Sequence, residues 1–325
     1  MRLLACLLIV LACAVCVCAQ TASFGGPNLG FVSDPAGTTL RPILGVPGAS
    51  TIGPPVGLGA AIRGAVISPK HDYVMARSGE ADAVVFFQLS VGAAFQVVDG
   101  IRPDVVAISP AGSAAAFYNH DAKTLEILEG MPQSARVAWR FDASVIAGRL
   151  VRMAVSDDGI LALLNFADAG ARTLWLIDRS GALRRLSSIQ PAVFTFVENR
   201  HDAVVADEGA RQVYVFRDID GAASRIPLLP VGSPGGFTAV AASADARRVF
   251  IAREQAGGVT IVNLDGFTSV TIPCGCRPTG LHPLKGAALF RLTEPSTDPM
   301  TILDASTSPP RTLVIPPSVW GTKPE

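Results

Sequence analysis

Few residues of this chain are spaced for recognised chemistry. The four histidines, His71, His120, His201 and His282, form no H-E-x-x-H motif, and no two paired Cys-x-x-Cys motifs accompany them. A zinc site therefore has no support in the sequence. No serine occupies a G-x-S-x-G elbow, and no Gly-rich loop is built to cradle phosphate. Asp218-Ile219-Asp220-Gly221 opens like a calcium loop, but the third acidic position and the distal glutamate are absent, so it reads as a hairpin turn. Neither a metal nor a cofactor is expected. Cys274 and Cys276 are two apart with Gly275 between them. That spacing puts both side chains on one side of an extended chain, and glycine permits the backbone that a local disulfide needs. A free dithiol with a redox or metal role is the alternative.

The remaining candidates are charged or polar residues in short loops: Arg77, Arg102, His120, Asp121, Asp168, Asp207, Arg253, Arg277 and Arg291. Arg102 and Arg277 each stand in Gly-x-Arg-Pro. The proline stiffens the backbone beside each arginine, and a guanidinium held that way can make paired hydrogen bonds to a carboxylate or similar anion.

What must position these residues is visible in the stretch from Gly148 to Gln190. Four short apolar runs are separated by turns at Ser156-Asp157-Asp158-Gly159, Asn165 to Gly170 and Asp178 to Gly181. That is a four-stranded antiparallel meander. Five further units of this kind begin near Arg63, Asp104, Ala192, Phe237 and Thr279, with their first turns at Ser68, Ser109, Glu198, Ser243 and Pro283. A repeat of roughly 40 to 47 residues with four strands per unit indicates an all-β fold, a β-propeller of four-stranded antiparallel blades. No long run shows the three-and-four apolar spacing of a helix.

Leu29 to Val46 makes a hairpin around Asp34-Pro35-Ala36-Gly37 and matches the outer half of the repeat. Seven blades with the first incomplete are expected, a six-bladed ring with that hairpin packed beside it being the alternative. Pro47 to Leu58 reads as an irregular connection. In such blades the second-to-third loops and the blade links share one face of the disc. The charged candidates above gather there, as a polar binding rim or as ordinary solvated loops. His71 and His201 fall in first-to-second turns on the other face and read as turn residues, and His282 as a satisfied core residue of an inner strand.

The turns Ser109-Pro110-Ala111-Gly112 and Ser156-Asp157-Asp158-Gly159, with Ser68-Pro69-Lys70-His71-Asp72, resemble the S-P-D-G turn of YVTN-type bacterial propeller repeats. The resemblance covers about Leu29 to Pro316. The Gly-His and Trp-Asp signature of WD40 repeats is absent, although the architecture is WD40-like. Such propellers serve as lactonases, quinoprotein-like enzymes and cell-surface binding proteins alike, so the resemblance implies architecture and leaves function open.

Residues 1–19 read as a signal peptide: Arg2 supplies a positive end, Leu3 to Val15 are apolar, and Val17-Cys18-Ala19 suits cleavage before Gln20. Lipidation at Cys13, after Val10-Leu11-Ala12, and a membrane anchor are the alternatives. The chain then divides into a flexible start at 20–28, the propeller at 29–318 and a tail at 319–325. Four of the six cysteines lie in the leader. A secreted, periplasmic or cell-surface location follows, with no membrane span in the mature chain. Lys+Arg and Asp+Glu are 27 each, which gives no electrostatic grip on nucleic acid.

Two functions compete. One is a non-catalytic binding or scaffold module for a protein or glycan, working as a monomer. The other is a lactonase-like or other hydrolase with its site at the channel mouth, which needs two or three acid, base or metal groups converging in one pocket. The lack of any catalytic motif favours the first. N-terminal sequencing of exported protein is expected to begin at Gln20; a diacylated chain starting at Cys13 would replace this with the lipoprotein reading.

Overall fold

The computed structural model describes residues 26–78, 83–89, 93–98, 102–186, 190–230 and 232–317. The leader, Cys13, Gly100 and the tail from 318 onward lie outside the described residues. The strands form seven antiparallel sheets, six of four strands and the first of three. These blades span 28–52, 62–98, 105–142, 149–186, 191–227, 237–273 and 282–315. Each is a meander whose strands pair in chain order. The molecule is a seven-bladed β-propeller. No helix among the described residues is long and apolar enough to cross a membrane.

The sequence of the fourth blade shows why the strands look apolar throughout. In its second strand, Leu161–Asp168, the leucines at 161 and 163 pack toward the fifth blade, while Ala162, Leu164 and Phe166 pack toward the third. Side chains alternate across a strand, but here both faces are covered, so alternation of polarity is lost. The outer strand, Leu183–Leu186, exposes charge at Arg184 and Arg185, and the other strands do so toward their ends or edges, at Arg149, Arg152, Asp168 and Arg172. Burial of each such leucine is worth about 1.5–3 kcal/mol. The same arrangement recurs around the ring. Seven hydrophobic clusters occupy the seven seams between neighbouring blades, including the seam between the seventh and the first.

The first-to-second turns share one hydrogen-bond pattern. The N–H of Ser68, Ser109, Ser156, Val197, Ser243 and Leu284 donates to the carbonyl five residues on. The equivalent positions in the fifth and seventh blades are thus Val197 and Leu284, one residue away from the Glu198 and Pro283 that the sequence aligned. In the third, fourth and sixth blades the serine hydroxyl also accepts from the backbone N–H five residues on, at Ala114, Leu161 and Arg248. Serine recurs there because its oxygen satisfies a donor that the sharp turn buries. The fourth residue of the turn has positive φ: Gly112, Gly159 and Ala246 in three blades, and His71 in the second.

The first blade departs from the sequence reading. Its three strands are Asn28–Ser33, Leu40–Val46 and Ala49–Ile52. The third comes from the stretch expected to be irregular; it passed unnoticed because only four residues pair and Gly48, at φ +90°, breaks the apolar pattern. The register also places the hairpin differently. The turn after Ser33 lies beside the start of the second blade, where Gly64 and Ala65 donate to the carbonyls of Ala36 and Gly37. At the other end, Leu29 accepts from the backbone N–H of Lys285 in the first-to-second turn of the seventh blade. The strand Asn28–Ser33 therefore runs as a second strand of a blade, and the two after it as third and fourth. Among the described residues the innermost position of the first blade is unfilled.

The link between the sixth and seventh blades holds a disulfide between Cys274 and Cys276, with Cα atoms 5.1 Å apart.

Ser156→Ala tests the turn pattern. It removes a buried hydroxyl that accepts from Leu161 and donates to Asp158, and stability should fall by about 1–3 kcal/mol. Denaturant unfolding measures this, and an unchanged midpoint would contradict the turn's role.

Candidate functional site

The described cavities open on the face of the first-to-second turns. One, of about 710 Å³, is lined by Ser113 of the third blade, Asp157 and Asp158 of the fourth, and Asn199, Arg200, His201, Asp202 and Asp218 of the fifth. The other, of about 670 Å³, is the channel mouth on the same face. Inner-strand residues such as Ile108, Phe196, Val240 and Leu281 line it, with Lys70, Glu198 and Arg248 among them. Lys70 of the second blade reaches Glu198 of the fifth across that mouth, at 3.8 Å.

The first cavity is assembled by neighbouring turns that lock into one another. The Asp157 carboxylate accepts from Ala111 N–H of the third blade and Asn199 N–H of the fifth, both at 2.6 Å. One turn thus fixes the turns on either side. His201 lies at the centre: its Nε2 is 2.7 Å from Asp158 Oδ2 and its Nδ1 2.6 Å from Asp220 Oδ2. Burial of the ring opposes its charging, but the bonds to Asp158 and Asp220 and their negative charges outweigh that, and the pKa of His201 is raised. With a carboxylate at each nitrogen, the geometry favours the charged ring, in which both nitrogens can donate. Asp158 keeps its own pKa low: burial would raise it, but bonds from Ser156, Ile160 and His201 prevail. Asp202 caps Asp218 N–H at 2.9 Å and takes Arg217 Nη1 at 2.9 Å.

This cluster was missed in the sequence because its members lie in three separate turns: Asp158 and His201 are 43 residues apart and His201 and Asp220 are 19 apart. The usable signal was the repeat itself, which puts equivalent turns side by side. Asp218-Ile219-Asp220-Gly221 is the third-to-fourth hairpin turn of the fifth blade, with Gly221 N–H bonded to Asp218 O.

The rim residues named from sequence separate into distinct environments. Arg102, His120 and Asp121 are brought together: Asn119 Nδ2 donates to Arg102 O at 2.8 Å, and the Asp104 carboxylate accepts from His120 N–H at 2.7 Å. His120 packs edge-on against Tyr118. Arg277 is 86% exposed and 4.0 Å from Glu254. Asp168 is exposed beside its hairpin turn, and Arg77 is half-buried in a second strand. Three of the set lie inside the blades. Asp207 accepts from the N–H groups of Gln190 and Ala210. Arg253, 6% exposed, bonds Thr260 Oγ1 at 2.6 Å and Pro234 O at 3.3 Å. Arg291 bonds Thr293 O at 2.9 Å and Glu294 at 2.8 Å. His282 is also in that group, 2.9 Å from Glu294, and its hydrogen bond leads the effects that hold the Glu294 pKa down to about 2. Among the described residues no group of three or more His, Cys, Asp and Glu side chains is arranged to hold a metal ion.

No protein-family model matches the chain, and no curated protein matches it. Solved structures do. A functionally unknown protein from Desulfotomaculum acetoxidans DSM 771 is 15% identical with a TM-score of 0.55, over 90% of this chain and 100% of the other. Hydrazine synthase from Kuenenia stuttgartiensis is 14% identical with a TM-score of 0.50, over 91% and 99%. The dihydro-heme d1 dehydrogenase NirN, in complex with DHE, is 19% identical with a TM-score of 0.48 over 74% of this chain; the match spans about half of NirN, 52%. At these identities the likeness is one of fold.

His201→Gln tests the strut by its pH dependence. A raised folded pKa stabilises the fold fully below the unfolded value of 6.5 and is lost as pH rises through the folded pKa. The variant should therefore be less stable than the natural chain at pH 6, with the gap narrowing toward pH 9. A gap independent of pH would mean the ring is neutral.

Proposed function

We propose that this chain is an exported, non-catalytic binding or scaffold propeller that recognises a protein or glycan. The observation that carries this reading is the state of His201. Both ring nitrogens are engaged by carboxylates, so neither faces a ligand as a general base would. The histidine serves as a fixed strut in the wall of an open polar cavity, and rigid loops on a stable scaffold are where binding residues concentrate. Asp157, Asp158, Asp202 and Asp218 outnumber Arg200 and His201 in its lining, which suits ligand hydroxyls or a basic protein side chain. The leader read from residues 1–19 supports a location outside the cytoplasm.

A second location for the ligand is favoured by one observation: Arg277 is 86% exposed on a backbone stiffened by Pro278, and lies on the opposite face. Pull-down from extracytoplasmic proteins and from a panel of glycans, followed by titration, separates the two. Binding weakened about tenfold or more by Asp218→Asn and Arg200→Ala, and untouched by Arg102→Ala and Arg277→Ala, places the ligand in the turn-face cavity; the reverse places it on the rim. Turnover of ester or lactone substrates by the purified chain, abolished by variants at the channel mouth, would replace the binding reading with the hydrolase.

A further inference from the structure

Among the described residues the first blade has no inner strand, and the contacts at its seam with the seventh blade centre on one imidazole. His71 lies in the first-to-second turn of the second blade, at the position where other blades have Gly112, Gly159 or Ala246. Its φ of +54° is a conformation that side-chain-bearing residues seldom adopt. The ring is buried, with the residue 4% exposed. Its Nδ1 accepts from the backbone N–H of Phe31 at 2.9 Å, and its Nε2 donates to the carbonyl of Pro283 at 2.7 Å. Phe31 belongs to the first blade and Pro283 to the seventh, so one side chain joins three blades.

The first blade is shaped to receive it. A Cβ on Gly30 would lie 2.8–2.9 Å from three atoms of the imidazole. Glycine there makes room for the ring, and the register of the strand shifts at the same place, between Asn28 and Gly30. The Phe31 ring stacks on the imidazole with centroids 6.4 Å apart. Lys285 N–H completes the edge by donating to Leu29 O at 2.7 Å.

We propose that His71 is the latch that closes the ring at the seam between the first and seventh blades, and that protonation of its imidazole releases this seam. An imidazolium has no acceptor nitrogen, so the bond from Phe31 cannot survive charging. The groups around the ring pull both ways, and the net effect favours the neutral form. Burial leads, and the positive charges of Lys285 and Arg291 add to it, against the Pro283 carbonyl and Asp72, which favour the charged form; the pKa falls from 6.5 to about 4. Asp72 is itself engaged by the Ser68 hydroxyl. The rest of the seam is the apolar cluster around Leu29, Val32, Ile43, Leu284 and Ile302, which acid does not alter. Opening is accordingly a local event, not global unfolding. This device is independent of which ligand the propeller binds.

Hydrogen exchange at the Phe31 amide reads the latch directly. With an open-state pKa of 6.5 and a closed-state value of about 4, the protection of this amide should drop roughly 20-fold between pH 7 and pH 5. Amides of the strand Leu161–Asp168 serve as controls and should keep their protection. In His71→Asn the side-chain oxygen accepts from Phe31 without titrating, and asparagine tolerates positive φ; its Phe31 protection should not vary with pH. Gly30→Ala, which displaces the ring while leaving His71 in place, should lower Phe31 protection at both pH values. Constant Phe31 protection in the natural chain from pH 7 to pH 5, or an equal drop in His71→Asn, overturns the proposal. His71→Asn carries the test even where the alanine variant fails to fold.

Discussion

The structure depends on burying both faces of every blade. A four-stranded meander of this sequence has no polar face to turn to water, so each blade is stable only between two neighbours. The hydrophobic effect scales with the apolar area removed from water, and here that area lies in the seams. Ala162 and Leu163, adjacent in one strand, belong to different seams. A chain of such blades must close on itself, because an end blade left open would expose a whole apolar face. The seven clusters show that it does close, with Leu29, Val32 and Ile43 meeting Leu284, Met300 and Ile302 at the last seam.

Closure in turn dictates how the polar residues are used. Turns at the ends of the inner strands converge on one face and sit against one another. Their backbone groups need partners, and many of the acidic side chains supply them: Asp157 to two neighbouring turns, Asp158 to its own turn and to His201, Asp202 to Asp218. The chain is weakly charged, at 17%, and much of that charge is committed to holding turns. The two histidines of this face are committed likewise, and their surroundings push them in opposite directions. Two carboxylates raise the pKa of His201, and burial lowers that of His71 between an amide and a carbonyl. The difference follows from surroundings alone: carboxylates and partial exposure in one case, burial beside Lys285 and Arg291 in the other.

The architecture was legible in the sequence for a physical reason. Strand length, turn residues and a repeat near 40 residues are local properties, and blade packing needs chiefly that the inner strands be apolar on both sides. Six four-stranded units, a leading part-unit and the pairing of Cys274 with Cys276 could be read from spacing, with seven blades expected over six. The third strand of the first blade could not, since Ala49–Ile52 holds two small polar residues, Ser50 and Thr51, and is a strand only because Leu40–Val46 pairs with it. Nor could the direction of the leading hairpin. Its resemblance to the outer half of a repeat was a matter of composition, whereas its true place is set by where Leu29 and Gly37 meet the seventh and second blades.

Site residues divide along the same line. Residue type told that Arg253, Arg291 and Asp207 are polar, and loop assignment put them on a rim; only tertiary contacts place them inside the blades, because Thr260, Glu294 and the amides near Asp207 offer partners there. His71 and His201 were both turn residues by sequence. What each does depends on residues 40 or more positions away, His71 on Phe31 and Pro283, His201 on Asp158. A linear pattern carries the period of the blades, while the bonds between blades are decided by which turns the closed ring brings face to face.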